Sequence, residues 1–284
     1  MKVISTKAEF RRSLDLERLA GRSVGLVPTM GALHAGHRSL LEAARRDCDV
    51  VALTIFVNPL QFAAGEDLSA YPRPIERDLE LAGAAGVAVV FTPTDAEMYP
   101  VPTATTVHVD GLTASMEGSA RPTHFDGVTT VVTKLFNLAG PCRAYFGEKD
   151  FQQLAVVTRM AADLEQPVEI VPCPIVREPD GLAMSSRNVY LSPEDRTAAV
   201  VLGRSLQRAR QLILDGERDA LAVSGAMAAW VAEEPRAQLE YATVVDAASL
   251  EPMVELARGD VLRLIMTARF GTTRLLDNLG VEVP

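Results

Sequence analysis

Apolar residues along this chain keep two rhythms, and the first two thirds alternate between them. Short, mostly apolar strand-like runs stand at 24–27, 50–57, 87–91, 143–146 and 168–171, with Arg143 and Glu169 the charged exceptions. The run VVALTIFV carries no charge, as a strand buried on both faces requires. Between these runs, over 36–46, 75–85, 127–138 and 151–163, apolar positions recur at the spacing of one helix face. The first run breaks at Pro28, and a turn with Gly31 leads to a helix opening at about Gly36. Repeated strand–helix alternation predicts an α/β fold with a doubly wound, mostly parallel sheet. No GxGxxG follows the first run, which argues against a dinucleotide oxidoreductase.

The pattern shifts at 172–179, where Pro172, Pro174 and Pro179 with Arg177, Glu178 and Asp180 mark a hinge. Ser192-Pro193-Glu194-Asp195 is a helix start, with a capping Ser and Pro at the first helical position. One long helix is expected from there to about Leu214, ended by Asp215-Gly216, and a second over 219–233. Runs at 241–245 and 261–268 read as strands. The expected organisation is therefore a nucleotide- and substrate-binding α/β domain over 1–175 and a smaller α+β lid over 176–284.

Composition narrows the class. A hydrophobic share of 48% in 284 residues supplies one large or two modest cores. No apolar run is long enough for a bilayer, and charges throughout residues 1–20 argue against a secretory signal. Three widely spaced cysteines without a CxxC point to free thiols in a reducing cytoplasm rather than to disulfides or zinc. The net charge of −9 speaks against non-specific nucleic-acid binding, though not against an anionic ligand held by local cations and helix ends.

The stretch LVPTMGALHAGHRSLL carries the first candidate chemistry. Strand, tight turn and helix place a helix N-terminus at the carboxyl edge of a sheet, where free N–H groups and the dipole favour phosphate. Two of the four histidines, His34 and His37, bracket that helix start on one face, so both can reach one anion. YFGEKDFQQL repeats the design, with Gly147 allowing close approach and Lys149 offering a cation. Asn58 and Gln61 in FVNPLQF follow the second strand at the same rim, where amides suit a hydroxy acid; for Asn58, turn chemistry is an equal reading. Met184-Ser185-Ser186-Arg187 offers hydroxyls and a guanidinium to phosphate oxygens. No base stands near those serines in sequence, so they are not read as nucleophiles.

PTMGALHAGHRSLL resembles the His-x-Gly-His signature of the nucleotidyltransferase-like superfamily, a Rossmann-like group. Together with FVNPLQF, YPR, RPTHFDGV, YFGEKDFQQL and DGLAMSSRN, spread from Val24 to about Leu191, it resembles the pantothenate synthetase (pantoate–β-alanine ligase) family. The resemblance implies ATP with Mg²⁺, pantoate and β-alanine as small-molecule reactants, a homodimer, and neither nucleic acid nor membrane as partner. It implies His34, His37 and Lys149 as catalytic residues. ATP would be held by Met30, Gly31, His34, His37, Gly147, Lys149, Asp150, Val176, Met184, Ser185, Ser186 and Arg187. Pantoate would be held by Gln61 and Gln153, with Gln61 also beside β-alanine. Asp78 is a candidate for the metal, weakened by Arg77 where relatives are expected to carry a second acid. Glu117 and Arg121 fall in a loop read either as dimer- or nucleotide-facing or as a solvated ion pair, and His124 is read as structural. A helix N-terminus should lower the imidazole pKa values, leaving neutral donors or proton donors to pyrophosphate. Two other readings remain: a nucleotidyltransferase of the same superfamily that stops at a nucleotide conjugate, and a nucleotide sensor, which would need no second-substrate amides.

Overall fold

The computed structural model describes residues 1–63 and 68–284. Its elements run β1 (Lys2–Ile4), α1 (Lys7–Leu19), β2 (Val24–Thr29), α2 (Ala35–Asp47), β3 (Val50–Ile55), α3 (Ile75–Ala84), β4 (Val89–Phe91), α4 (Asp95–Met98), α5 (Glu117–Ala120), α6 (His124–Ala139), β5 (Cys142–Gly147), α7 (Phe151–Asp163) and β6 (Val168–Cys173). Then come α8 (Pro193–Ala198), α9 (Val200–Leu214), α10 (Ala220–Ala232), β7 (Ala237–Asp246), β8 (Val261–Phe270) and β9 (Thr273–Glu282). Contacts divide the chain into two compact units, Met1–Glu148 with Gln152–Pro174, and Lys149–Phe151 with Ile175–Pro284. The first expected boundary lay one residue later and kept Lys149 and Asp150 with the first domain.

The first unit is the expected doubly wound sheet, with strand order β1-β4-β3-β2-β5-β6 and every pair parallel. Helices α1 and α6 pack together, and α2 packs with α3 and against β2, β3 and β5. Burial is complete where the apolar runs predict it: Leu26, Val27, Ala52, Leu53 and Val90 have no exposed surface. Phe10 of α1 stacks on Phe91 of β4 with ring centres 4.6 Å apart.

Pro28 does not break β2, contrary to the sequence expectation. The carbonyls of Ser23 and Thr29 both accept from the β3 side, from Val50 and Phe56. By alternation, Pro28 turns its nitrogen toward β5, and there the paired positions are only Gly25↔Arg143 and Leu26↔Ala144. The proline therefore sits where no ladder bond is lost. The helix expected over 193–214 is also divided, α8 ending at Ala198 where Leu202 N–H bonds the Ala199 carbonyl in a tighter turn.

In the second unit β7, β8 and β9 form an antiparallel sheet. Helices α9 and α10 cover one face, burying Leu202, Leu206, Ile213, Met227 and Val231 against Leu262, Leu264, Met266 and Phe270. No helix among the described residues is long and apolar enough to cross a membrane. All three cysteines are free, and burial pushes the Cys142 thiol up to about 12.

Leu53, in the middle of the parallel sheet, has no exposed surface. Leu53→Ala is expected to cost about 2–5 kcal/mol of unfolding free energy, read by urea denaturation of the first unit's transition.

Candidate functional site

Because the first sheet is parallel, all its carboxyl ends lie along one edge. From β2 the chain winds outward through β3 and β4, and later through β5 and β6 on the other side, so the winding reverses between β2 and β5. Such a reversal leaves the crevice in which open α/β sheets hold ligands. The β2–β5 pairing stops at Leu26 and Ala144, short of both carboxyl ends.

The loop leaving β2 is unusual in its backbone. Gly31 and Ala32 both have positive φ, 84° and 51°. The second is a strained state for a residue with a Cβ. One side chain holds it: Asp78 on α3, 1% exposed, accepts from Ala32 N–H at 2.8 Å and Leu33 N–H at 2.7 Å. Burial raises the Asp78 pKa above the ordinary carboxylate value, against the pull of those N–H groups and Arg77. With each oxygen on a backbone N–H and almost no exposed surface, Asp78, the sequence's candidate for the metal, braces this loop.

The loop delivers His34 as the N-cap of α2. His34 Nδ1 accepts from Gly36 N–H at 3.1 Å, and His37 Nδ1 accepts from His34 N–H at 3.3 Å. A backbone N–H can only donate, so each Nδ1 carries the lone pair and each neutral ring bears its proton on Nε2. The ring centres are 4.1 Å apart. The two histidines thus fill the capping roles usually taken by Ser and Glu, and the cap sets their tautomer.

Past β3, Asn58 caps a short 3-10 turn, Pro59–Gln61. Asn58 is buried and wholly used within the protein, donating to Gln61 Oε1 and the Gly127 carbonyl and accepting from Tyr99 O–H. It is the brace of the turn rather than a substrate contact. Gln61 Nε2 reaches Met30 Sδ at 3.0 Å, so the structure brings the two loops together. The Gln61 carbonyl accepts from His124 Nδ1 at 2.9 Å and Arg121 at 3.2 Å. His124 is structural, as expected, and of the two readings of Glu117 and Arg121 the solvated pair does not hold: Glu117 is 7% exposed and Arg121 is turned to Gln61. A Cβ at Gly127 would collide with the Leu60 carbonyl, so α6 meets the turn backbone to backbone. Gln153 is half-buried on α7; its neighbour Gln152, which sequence reasoning passed over, is buried and holds Leu112 and Ser115 carbonyls and Glu117 N–H. Gly147 ends β5 opposite Cys173 of β6.

In the second unit, Met184 N–H bonds the Val176 carbonyl at 2.9 Å, closing a loop whose Arg177 makes a two-point pair with Asp277 on β9. Ser185 caps the short turn Ser186–Tyr190 by accepting from Arg187 N–H. Lys149 lies 3.2 Å from Asp150, and its carbonyl accepts from Asn278 at 2.7 Å.

The pantoate-beta-alanine ligase family model matches residues 2–280. The chain belongs to the pantoate–β-alanine ligase family. Among curated relatives, the pantothenate synthetase of Acetivibrio thermocellus is 51% identical over 100% of both chains, and that of Heliobacterium modesticaldum 54% identical over 93% of both. The crystal structure of pantothenate synthetase from Thermus thermophilus superposes with a TM-score of 0.92 at 49% identity, covering 98% of this chain and 99% of that one. The pantoate-beta-alanine ligase of Francisella tularensis, solved with beta-gamma ATP and beta-alanine, superposes at 0.79 with 29% identity over 98% of this chain and 97% of that one. The ligase family thus accounts for both units of this chain.

In Asp78→Asn, an amide N–H₂ would face Ala32 N–H or Leu33 N–H, donor against donor. A loss of about 1–3 kcal/mol in urea unfolding is expected, the cost of an unmade buried hydrogen bond.

Proposed function

We infer that the protein condenses pantoate with β-alanine to pantothenate, using ATP through a pantoyl-adenylate intermediate. A pantoate carboxylate oxygen attacks the α-phosphorus, and the bond to the β-phosphate breaks, releasing pyrophosphate. The β-alanine amine then attacks the acyl carbon, AMP leaves with the electron pair of the broken C–O bond, and the amine loses a proton. The observation that carries this reading is the pair of capped imidazoles. His34 and His37 are held as Nε2–H donors at the start of α2, next to the reversal of winding, where they would meet the negative charge that a leaving pyrophosphate gains.

Lys149, Ser185, Ser186 and Arg187 would share that charge, and Met30, Gly31, Gly147, Asp150, Val176 and Met184 would contact the nucleotide. Gln61 and Gln153 would hold pantoate by its hydroxyl and carboxylate, Gln61 also facing β-alanine. Among the described residues no cluster of three or more His, Cys, Asp or Glu could hold a metal ion. A Mg²⁺ would arrive with ATP, held at its phosphate oxygens. There it would neutralise charge on the phosphates. The adenylate is a mixed anhydride that water also attacks, so the region 176–284 is assigned the lid role. We further propose a cytoplasmic homodimer, the dimer being checked by light scattering.

Mixing the protein with ATP, Mg²⁺ and pantoate should release pyrophosphate, and adding β-alanine should yield AMP and pantothenate by mass spectrometry. A stable nucleotide conjugate in place of the amide would instead mark a transferase. His37→Ala is expected to slow adenylate formation by about 10²–10³, the effect of losing one charge-stabilising donor; a wild-type rate in single turnover would reject the role.

A further inference from the structure

We propose that Asn278, supported by Arg263, is a positioning residue for adenylation that fixes the backbone of Lys149. The inference rests on the reading of Lys149 as a phosphate ligand. Asn278 lies within the apolar strand LLDNLGV and has no exposed surface. Its Nδ2 donates to the Lys149 carbonyl at 2.7 Å, and its Oδ1 accepts from Arg263 Nε at 2.6 Å. Its own carbonyl accepts from Arg177 at 3.1 Å, and its N–H donates to Asp277. Arg263, 8% exposed, lays its guanidinium over the Phe151 ring at 4.1 Å. The tripeptide 149–151 is thus gripped at both ends by side chains from β8 and β9, which is why its contacts group it with the second unit.

A buried amide and a buried cation are poor stabilisers, since an apolar pair of the same volume commonly does as well. What they supply is a defined place for a carbonyl. For a lysine, whose flexible stem loses side-chain entropy on binding phosphate, a fixed backbone origin shortens the search for productive geometry.

Asn278→Asp tests this. The carboxylate still accepts from Arg263 but has no N–H for the Lys149 carbonyl. Rapid-quench measurement of adenylate formation should show kcat/KM for ATP down about 10-fold with KM for pantoate unchanged. In the double variant with Lys149→Ala there should be no further loss beyond Lys149→Ala alone, since the two act through one group. A full multiplicative loss in the double variant would overturn the proposal, as would unchanged ATP kinetics in Asn278→Asp while Lys149→Ala is impaired. A normal rate in Lys149→Ala would remove the phosphate reading itself and the proposal with it. Should Asn278→Asp not fold, Phe151→Leu, which removes only the platform under Arg263, enters the same cycle with the same outcomes.

Discussion

The lone pair of a backbone amide nitrogen is delocalised into its carbonyl, so the N–H can only donate, and that elementary fact governs the candidate site. Because Gly36 and His34 can only donate, the imidazoles that meet them must present unprotonated Nδ1 atoms. The rings are thereby handed their tautomer by the helix they cap. The same bonds that complete α2 leave an N–H on the far side of each ring, the form suited to a developing anion. The cap depends in turn on the path of residues 31–33, and that path on the Asp78 carboxylate.

The rims of the first unit show one solution used repeatedly. Each loop that presents a site residue is tied by a polar side chain from elsewhere in the fold: Asp78 for the histidine loop, Asn58 and His124 for Gln61. Each of these ties is buried. In the second unit Asp277 and Asn278 serve the 176–184 loop and Lys149 in the same way. Buried polar groups that reach full pairing specify one arrangement more sharply than apolar packing does.

The middle of the parallel sheet was legible because strands buried on both faces carry uncharged, largely apolar letters; 50–57 and 87–91 are plain examples. Elements at 2–19 were not, since α1 buries only Phe10, Ser13 and Leu14 within a charged stretch. Pro28 misled because its effect depends on which neighbour its nitrogen faces, a property of pairing rather than of the local chain. In the candidate site, the two histidines and Gln61 are proposed from their spacing at strand ends. Their supports could not be read so, because Asp78 and Asn278 lie 45 and 129 residues from the backbone groups they hold. The one visible sign was a polar letter inside an apolar run, as at Asp277-Asn278 and Arg263.

The seat of the Gln61 turn on α6 has a consequence for how this protein can vary. Main chain rests on main chain at Gly127, so at that point the distance between α6 and the turn is set by backbone and not by a side chain. At that one position even a lone methyl group has nowhere to go, so the close approach of α6 to the turn tolerates no residue but glycine.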